Sequence, residues 1–280
     1  MGDIPIYVAF DSADTWANFE VFQLHPNRTP IAVAGVPPDV YSTTGQLWGN
    51  PLYNWTFLET KQFSWWVDRI KNTLKLFDYI RLDHFRGFAS YYSIPYPSET
   101  AINGTWKPGP RRALFDALVR SIGDIPFIVE DLGYITPDVI ELREQFGYPA
   151  MKILQFGLGG SSNDHTPHNL LLNQLVYSSI HDTDTAFGWF KSQNHETQEK
   201  ILKYTNGDSS KFHWSLINEA WKSVANISIA QMQDILGLGS EARMNKPGTA
   251  QGNWKWRYRK QMLTDNIPPI LRTLNKLFDR

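Results

Sequence analysis

Cysteine is absent from the 280 residues, which excludes a disulfide framework and thiolate metal ligation and suits a reducing compartment. No apolar run approaches the ~18 residues that a membrane-spanning helix requires, and the opening residues do not read as a charged-then-apolar leader. Excess charge of either sign is also missing. The 27 Lys and Arg nearly balance 28 Asp and Glu, for a net charge of -1, and the two signs are interleaved. Such a chain lacks the electrostatic footprint of a polyanion binder, so neither nucleic acid nor a membrane surface is expected as a partner. Neither G-x-G-x-x-G after the first strand nor G-x-x-x-x-G-K-[ST] occurs, which removes the usual support for a nucleotide-binding sheet. The 280 residues suffice for one large barrel or for two ordinary domains, and no linker-like stretch divides the chain.

What is present is an alternation of short apolar runs and helical segments, the pattern of parallel strands joined by crossover helices. Ile4 to Ala9, Tyr79 to Asp83, Phe127 to Glu130, Lys152 to Phe156 and Val176 to Ile180 read as strands, and Asn226 to Ile229 as a weaker sixth. A helix is expected from Ser64 to Phe77, with Ser64 as N-cap and Trp66, Ile70 and Leu74 on one face. A second opens at Thr136-Pro137 and stops at Phe146-Gly147. The fold class is α/β, and a (β/α)8 barrel is favoured, with its site at the C-terminal strand ends.

Three of those strands end in carboxylates: Asp83 in "RLDHF", Glu130 in "VEDLG" and Asp182 in "IHDTD". Side chains alternate along a strand, so Arg81 and Asp83 project to one side, about 6.6 Å apart along the backbone. The guanidinium favours the ionised form of Asp83, as a nucleophile requires. Glu130 follows an apolar run and has a second carboxylate for a neighbour, a setting that keeps a carboxyl protonated and suits a general acid. Two carboxylates pushed apart in this way are the machinery of retaining glycosyl transfer, and Asp182 is a candidate to hold sugar hydroxyls. Each such aspartate also has a plain structural use, capping a helix or pairing with an arginine. His181-Asp182-x-Asp184 has the residue types of a divalent-metal site, a weaker alternative without further convergent histidine. The 11 tryptophans mostly suit packing, yet a cluster of them in loops fits the flat faces of sugar rings.

The stretches "GDIPIYVAFDSADTWAN" (2–18), "GVPPDVYSTTGQLWGNPLYNW" (35–55), "RLDHFRGF" (81–88), "TAINGTWKPGP" (100–110), "VEDLGYITPDV" (129–139), "HDTDTAFGWF" (181–190) and "ARMNKPGTAQGNWKWR" (242–257) together closely resemble the amylomaltases. These enzymes are also called 4-α-glucanotransferases or disproportionating enzymes and lie in the α-amylase clan. The resemblance implies Asp83 as nucleophile, Glu130 as acid/base and Asp182 as transition-state stabiliser. It also implies that Arg81 and His181 line the subsite of the reacting glucose, that Tyr41 and Trp48 stand beside bound glucan, and that Asn245 contacts it. Where many relatives carry an aromatic pair after "GVPPD", this chain has Val40 before Tyr41.

In the family the first of these motifs stands well inside a longer chain, near the third barrel strand. The resemblance therefore implies the C-terminal part of the enzyme, an incomplete barrel of about six of its eight strands with the first two missing. The implied activity is hexosyl transfer among α-1,4-glucans and maltooligosaccharides without a cofactor or metal, in the cytoplasm, or in the plastid of a plant or alga. The loops Pro37 to Trp55 and Asn103 to Pro110, carrying Trp48 and Trp106, are expected to keep water from the intermediate, with Trp106 itself in a packing role. The rival readings are a retaining α-glucan hydrolase and an inactive fragment that binds glucan, with the missing N-terminal part of the same enzyme as a partner.

Overall fold

The computed structural model describes residues 1–39, 42–160, 163–249 and 251–280. Tyr41 lies outside the described residues. The chain forms an α/β fold of two compact units, Met1–Ala150 and Met151–Arg280.

In the first unit the strands are β1 (Gly2–Ile4), β2 (Ala32–Val36), β3 (Gln46–Pro51), β4 (Ile80–Leu82), β5 (Ser90–Pro95), β6 (Thr105–Pro108) and β7 (Phe127–Val129). Strands β1, β4 and β7 run parallel in that order, with Asp3 opposite Arg81 and Arg81 opposite Ile128. Beyond β7, Val129 pairs with Ala150. The first strand is displaced from the expected Ile4 to Ala9 because Pro5 has no N–H to give the ladder. Its pairing therefore falls on the residues before the proline.

The antiparallel sheet β3-β2-β5-β6 was not expected from the sequence. It draws β3 from the supposed loop Pro37 to Trp55 and β6 from Asn103 to Pro110. Gly35 of β2 permits this pairing, since a Cβ there would meet the Gln46 carbonyl oxygen at 2.2 Å. Tyr92 and Trp106 are opposite each other across β5 and β6, with ring centroids 5.2 Å apart.

Helices pack around the parallel strands through an aromatic core that includes Tyr53, Trp66, Phe85, Phe88, Phe115 and Phe127. The helix expected from Ser64 spans Ser64–Leu74 and turns Trp66 and Ile70 inward. Its cap is not the Ser64 hydroxyl. Phe63 precedes it in the left-handed region at φ 54°, a sharp entry that buries the phenyl ring. The helix Pro137–Gln145 has proline in its first turn, and Gly147 follows at φ 65°, where the absence of a Cβ lets the chain leave.

In the second unit, β8 (Ala150–Ile153), β9 (Gln174–Tyr177) and β10 (Ile227–Ile229) lie side by side in that order, and β9 and β10 are parallel, with Val176 opposite Ser228. Here β8 begins and stops earlier than Lys152 to Phe156, because Leu154–Leu158 is helical. Likewise β9 ends at Tyr177 rather than Ile180. Leu154, Val176, Phe190, Phe212 and Leu216 belong to the core of this unit, with the Phe190 and Phe212 rings stacked at 4.1 Å. Among the described residues no helix is long and apolar enough to cross a membrane.

Candidate functional site

In the first unit the sheet itself places the charged residues. Strand β4 is buried throughout and delivers Asp83 at its C-terminal end, where the Asp83 N–H donates to the Ile4 carbonyl at 3.0 Å. The Glu130 N–H donates to the Leu82 carbonyl at 2.9 Å. Both acids are therefore bonded into the ladder one residue beyond the strands that carry them.

Arg81 lies between two carboxylates: its Nη1 donates to Asp3 Oδ1 at 2.7 Å and to Asp83 Oδ1 at 2.8 Å. Its side chain is only 5% exposed. Burial works against the guanidinium charge, but the carboxylates of Asp83, Asp3 and Glu130 outweigh it and hold the proton more firmly than in a free arginine. Asp3 was missed in the sequence reading. Its signal is parity, because it faces Arg81 across a parallel register and so points to the same side.

Glu130 accepts from the His84 N–H at Oε2 and from the Leu132 N–H at Oε1, each at 2.8 Å. Burial, then the Asp83 charge, push its pKa up from 4.5 to about 8, while Arg81 and the two amides pull the other way. Glu130 is thus a carboxyl that keeps its proton near neutrality beside an arginine-paired Asp83. Its sequence neighbour Asp131 is engaged elsewhere, in an ion pair of 2.7 Å with Arg143.

His84 takes a left-handed backbone at φ 49°, which turns its N–H toward Glu130. Its ring meets Trp48 edge-on at 4.8 Å, and its Nε2 has no partner among the described residues. Burial, only partly opposed by Asp83, pushes the imidazole down to about 4, so it is neutral at physiological pH. Trp48 itself is half-exposed on β3 and approaches the Tyr7 ring at 6.3 Å. Arg86, despite its closeness in sequence, points elsewhere. Its guanidinium is 3.9 Å from the centre of the Trp106 ring, and Nη1 bonds the Tyr134 carbonyl and the Thr136 hydroxyl. That contact gives Trp106 its packing role.

In the second unit, His181, Asp182 and Asn245 come together. The Asn245 side-chain amide donates to Asp182 Oδ1 at 2.6 Å, and His181 Nε2 lies 3.3 Å from Asp182 Oδ2. The Asn245 N–H donates to the His181 carbonyl at 2.9 Å. Arg243 ties the two loops: its Nη2 donates to the Asp182 carbonyl at 2.7 Å and its Nε to the Asn245 carbonyl at 2.8 Å. The Trp254 ring stands 5.2 Å from His181.

Below this cluster, buried Asp234 accepts from the hydroxyls of Ser178 and Ser179 and from the Ala186 N–H at 2.7 Å, which anchors the chain just after β9. Asp184 turns its carboxylate to Ser240 and to the Thr185 N–H. Among the described residues no group of three or more His, Cys, Asp or Glu is placed to hold a metal ion. Arg243 and Asp234 were not singled out from the sequence. Arg243 sits inside the "ARMN" stretch, two residues before Asn245, whereas nothing local marks Asp234 as the anchor of a strand 56 residues earlier.

The fold and these clusters define an α/β protein with acidic groups at the C-terminal ends of parallel strands. The family model described as 4-alpha-glucanotransferase matches residues 1–264, and the chain belongs to that family. It is 47% identical over 284 residues to a 4-alpha-glucanotransferase of Clostridium butyricum, covering 100% of this chain and 58% of that protein. It is 48% identical to the chloroplastic/amyloplastic 4-alpha-glucanotransferase of Arabidopsis thaliana, covering 100% of this chain and 50% of that one. Among solved structures it resembles the amylomaltase from Streptococcus agalactiae in complex with acarbose, with a TM-score of 0.96 at 38% identity over 100% of this chain and 57% of that one. The chain therefore spans about half the length of the curated relatives it matches.

Proposed function

We propose that this chain carries the transfer chemistry of a 4-α-glucanotransferase acting on α-1,4-glucans and maltooligosaccharides. The observation that carries the reading is geometric: Asp83, paired with Arg81, and Glu130, held by two main-chain amides, both sit one residue past the C-terminal ends of adjacent parallel strands, and burial beside the Asp83 charge raises the Glu130 pKa. In the first step Asp83 attacks the anomeric carbon while Glu130 gives its proton to the departing 4-oxygen, leaving a β-glucosyl ester on Asp83. Glu130, now ionised, takes the proton from the 4-hydroxyl of an incoming glucan, whose oxygen displaces Asp83 with net retention. Arg81 steadies the Asp83 carboxylate between the two steps. Asp182, His181 and Asn245 hold hydroxyls of the reacting glucose, and Trp48 and Tyr41 stack on the glucan. No cofactor takes part.

The parallel strands β1, β4, β7, β8, β9 and β10 are read as six of the eight strands of a (β/α)8 barrel, with residues 1–280 as one partial catalytic domain and the remainder of the enzyme as its partner. Coverage of 57% of the S. agalactiae amylomaltase supports this. Cytoplasm is the proposed compartment, or the plastid, for which the Arabidopsis relative is named.

Incubation with maltotriose tests the activity, using the 280 residues alone and mixed with the part of the C. butyricum relative that lies outside the match. Transfer yields glucose together with chains longer than the substrate, whereas hydrolysis yields only shorter ones. Shorter products alone would replace this reading with that of a retaining hydrolase. The coverage of 50 to 58% of the relatives favours one second reading, a piece that binds glucan without turnover. Turnover in neither mixture, with amylose binding kept in both the wild type and Asp83→Ala, would select it.

A further inference from the structure

The first unit carries a concavity apart from the residues gathered around Asp83. It has a volume of about 410 Å³, and its lining includes Phe10, Asp11, Thr15, Trp16, Leu24 and Arg28. That volume lies within the ~300–1,000 Å³ of small-molecule sites. Neither Arg81, Asp83, His84, Glu130 nor Trp48 contributes to it.

The local fold aims aromatic surface outward here. Ser12 caps the short helix Ala13–Ala17, and the buried Thr15 hydroxyl donates to the Ala9 carbonyl at 3.1 Å. With Thr15 tied inward, the adjacent Trp16 is left 74% exposed, and Phe10 is 44% exposed. Lining the concavity, this indole offers a flat apolar face to a ligand. On the facing turn, the Arg28 N–H bonds the His25 carbonyl at 2.7 Å, and Arg28 takes a left-handed φ of 68°. Glycine would adopt that conformation freely, so the arginine is kept there at a backbone cost. Its guanidinium lies 5.0 Å from the centre of the Phe19 ring and spends one N–H on the Trp16 carbonyl. The other Arg28 donors and the Asp11 carboxylate have no partner among the described residues.

A flat ring flanked by an uncommitted carboxylate and uncommitted guanidinium donors matches a saccharide. In such a complex the C–H face of a pyranose would lie on the indole, with its hydroxyls donating to Asp11 and accepting from Arg28. The Asp11 carboxylate, sharing the lining with the single Arg28, disfavours an anion. We propose that this concavity is a second carbohydrate-docking site, which takes a neutral α-1,4-glucan segment across Trp16 and retains long chains independently of the residues around Asp83. The choice of an α-1,4-glucan among neutral saccharides rests on the function proposed above.

Native electrophoresis of the 280-residue chain through gels containing glycogen, with dextran gels as control, tests this on the wild type, Trp16→Ala, Arg28→Gly, the double variant and Trp48→Ala. Arg28→Gly relieves the left-handed backbone but gives up the Trp16 and Phe19 contacts, so its melting temperature is recorded beside its binding, and a loss of binding counts only where the melt matches that of the wild type. The expected result is a dissociation constant for glycogen raised about tenfold in Trp16→Ala and further in the double variant, with Trp48→Ala adding independently. Unchanged retardation in the double variant overturns the site. So does a change confined to self-association in sedimentation, which would mean that a second copy covers Trp16. Retardation that depends on Trp16, with no maltotriose transfer either by the 280 residues alone or after mixing with the remaining part of the relative, sinks the transferase reading and keeps the docking site. Transfer with retardation indifferent to Trp16 does the reverse.

Discussion

The two acidic clusters are held by opposite means. In the first unit, Asp83 and Glu130 have their main chains bonded into a parallel ladder, and their side chains are governed by a buried arginine and by each other. In the second, Asp182 stands on a turn beyond β9 and depends on a loop 63 residues later, through Asn245 on its carboxylate and Arg243 on its carbonyl. Acids seated in a ladder are tuned by burial and charge, whereas an acid seated on loops is tuned by where its partners are placed. The first cluster should therefore be sensitive to changes of charge and the second to changes of tether.

The sharpest test of that contrast is Asp83→Asn, which removes the charge and leaves the shape. Transfer measured on maltotriose should fall about 10⁴-fold or more, with folding intact by circular dichroism. Next comes Glu130→Gln, expected to cost about 10²- to 10⁴-fold in kcat. Its pH profile carries the sign. In the proposed mechanism Glu130 acts while protonated, so the wild type should hold its rate below the raised pKa and lose it as pH climbs through about 8, a limb that Glu130→Gln should lack. Stability moves the same way. The folded state grips this proton more tightly than the unfolded chain, so the contribution is full below 4.5 and lost as pH rises through about 8.

Core truncations ask whether the regions are separable. Phe115→Ala in the first core and Phe190→Ala in the second should each cost about 3–5 kcal/mol in urea unfolding. Two transitions, each shifted by only one variant, would mean that the units melt separately; one shared transition shifted by both would mean that they do not. The smallest effect belongs to the tether. Arg243→Ala should lower kcat about 10- to 100-fold with little change in KM, since it frees the Asp182 carbonyl while keeping every side chain that the proposed mechanism places against the sugar. Partial recovery in Arg243→Lys would fit a hydrogen-bonding tether, and an equal fall in Asp83-like proportion would break the contrast.

Much of this arrangement was legible as local pattern. The apolar runs marked the parallel strands, and the parity of Arg81 and Asp83 within "RLDHF" foretold their ion pair, because a strand allows only two sides. What escaped was set by distant partners. The β2-β3-β5-β6 sheet hid in segments rich in glycine and proline whose pairing appears only when Gly35 meets Gln46. Strand limits moved because ladders end where a donor is missing, as at Pro5, or where a helix begins, as at Leu154. Arg86 stands only five residues after Arg81, yet the backbone reversal at His84 sends it to Trp106.

The main-chain bonds from Asp83 to Ile4 and from Glu130 to Leu82 also bear on how this region ages under heat. Those two amides can release their hydrogens to deuterated solvent only when neighbouring strands part, so their exchange should be as slow as that of the sheet interior. Warming then leaves the spacing of the pair intact until the strands separate, and function and fold in this region are lost at one temperature rather than in sequence.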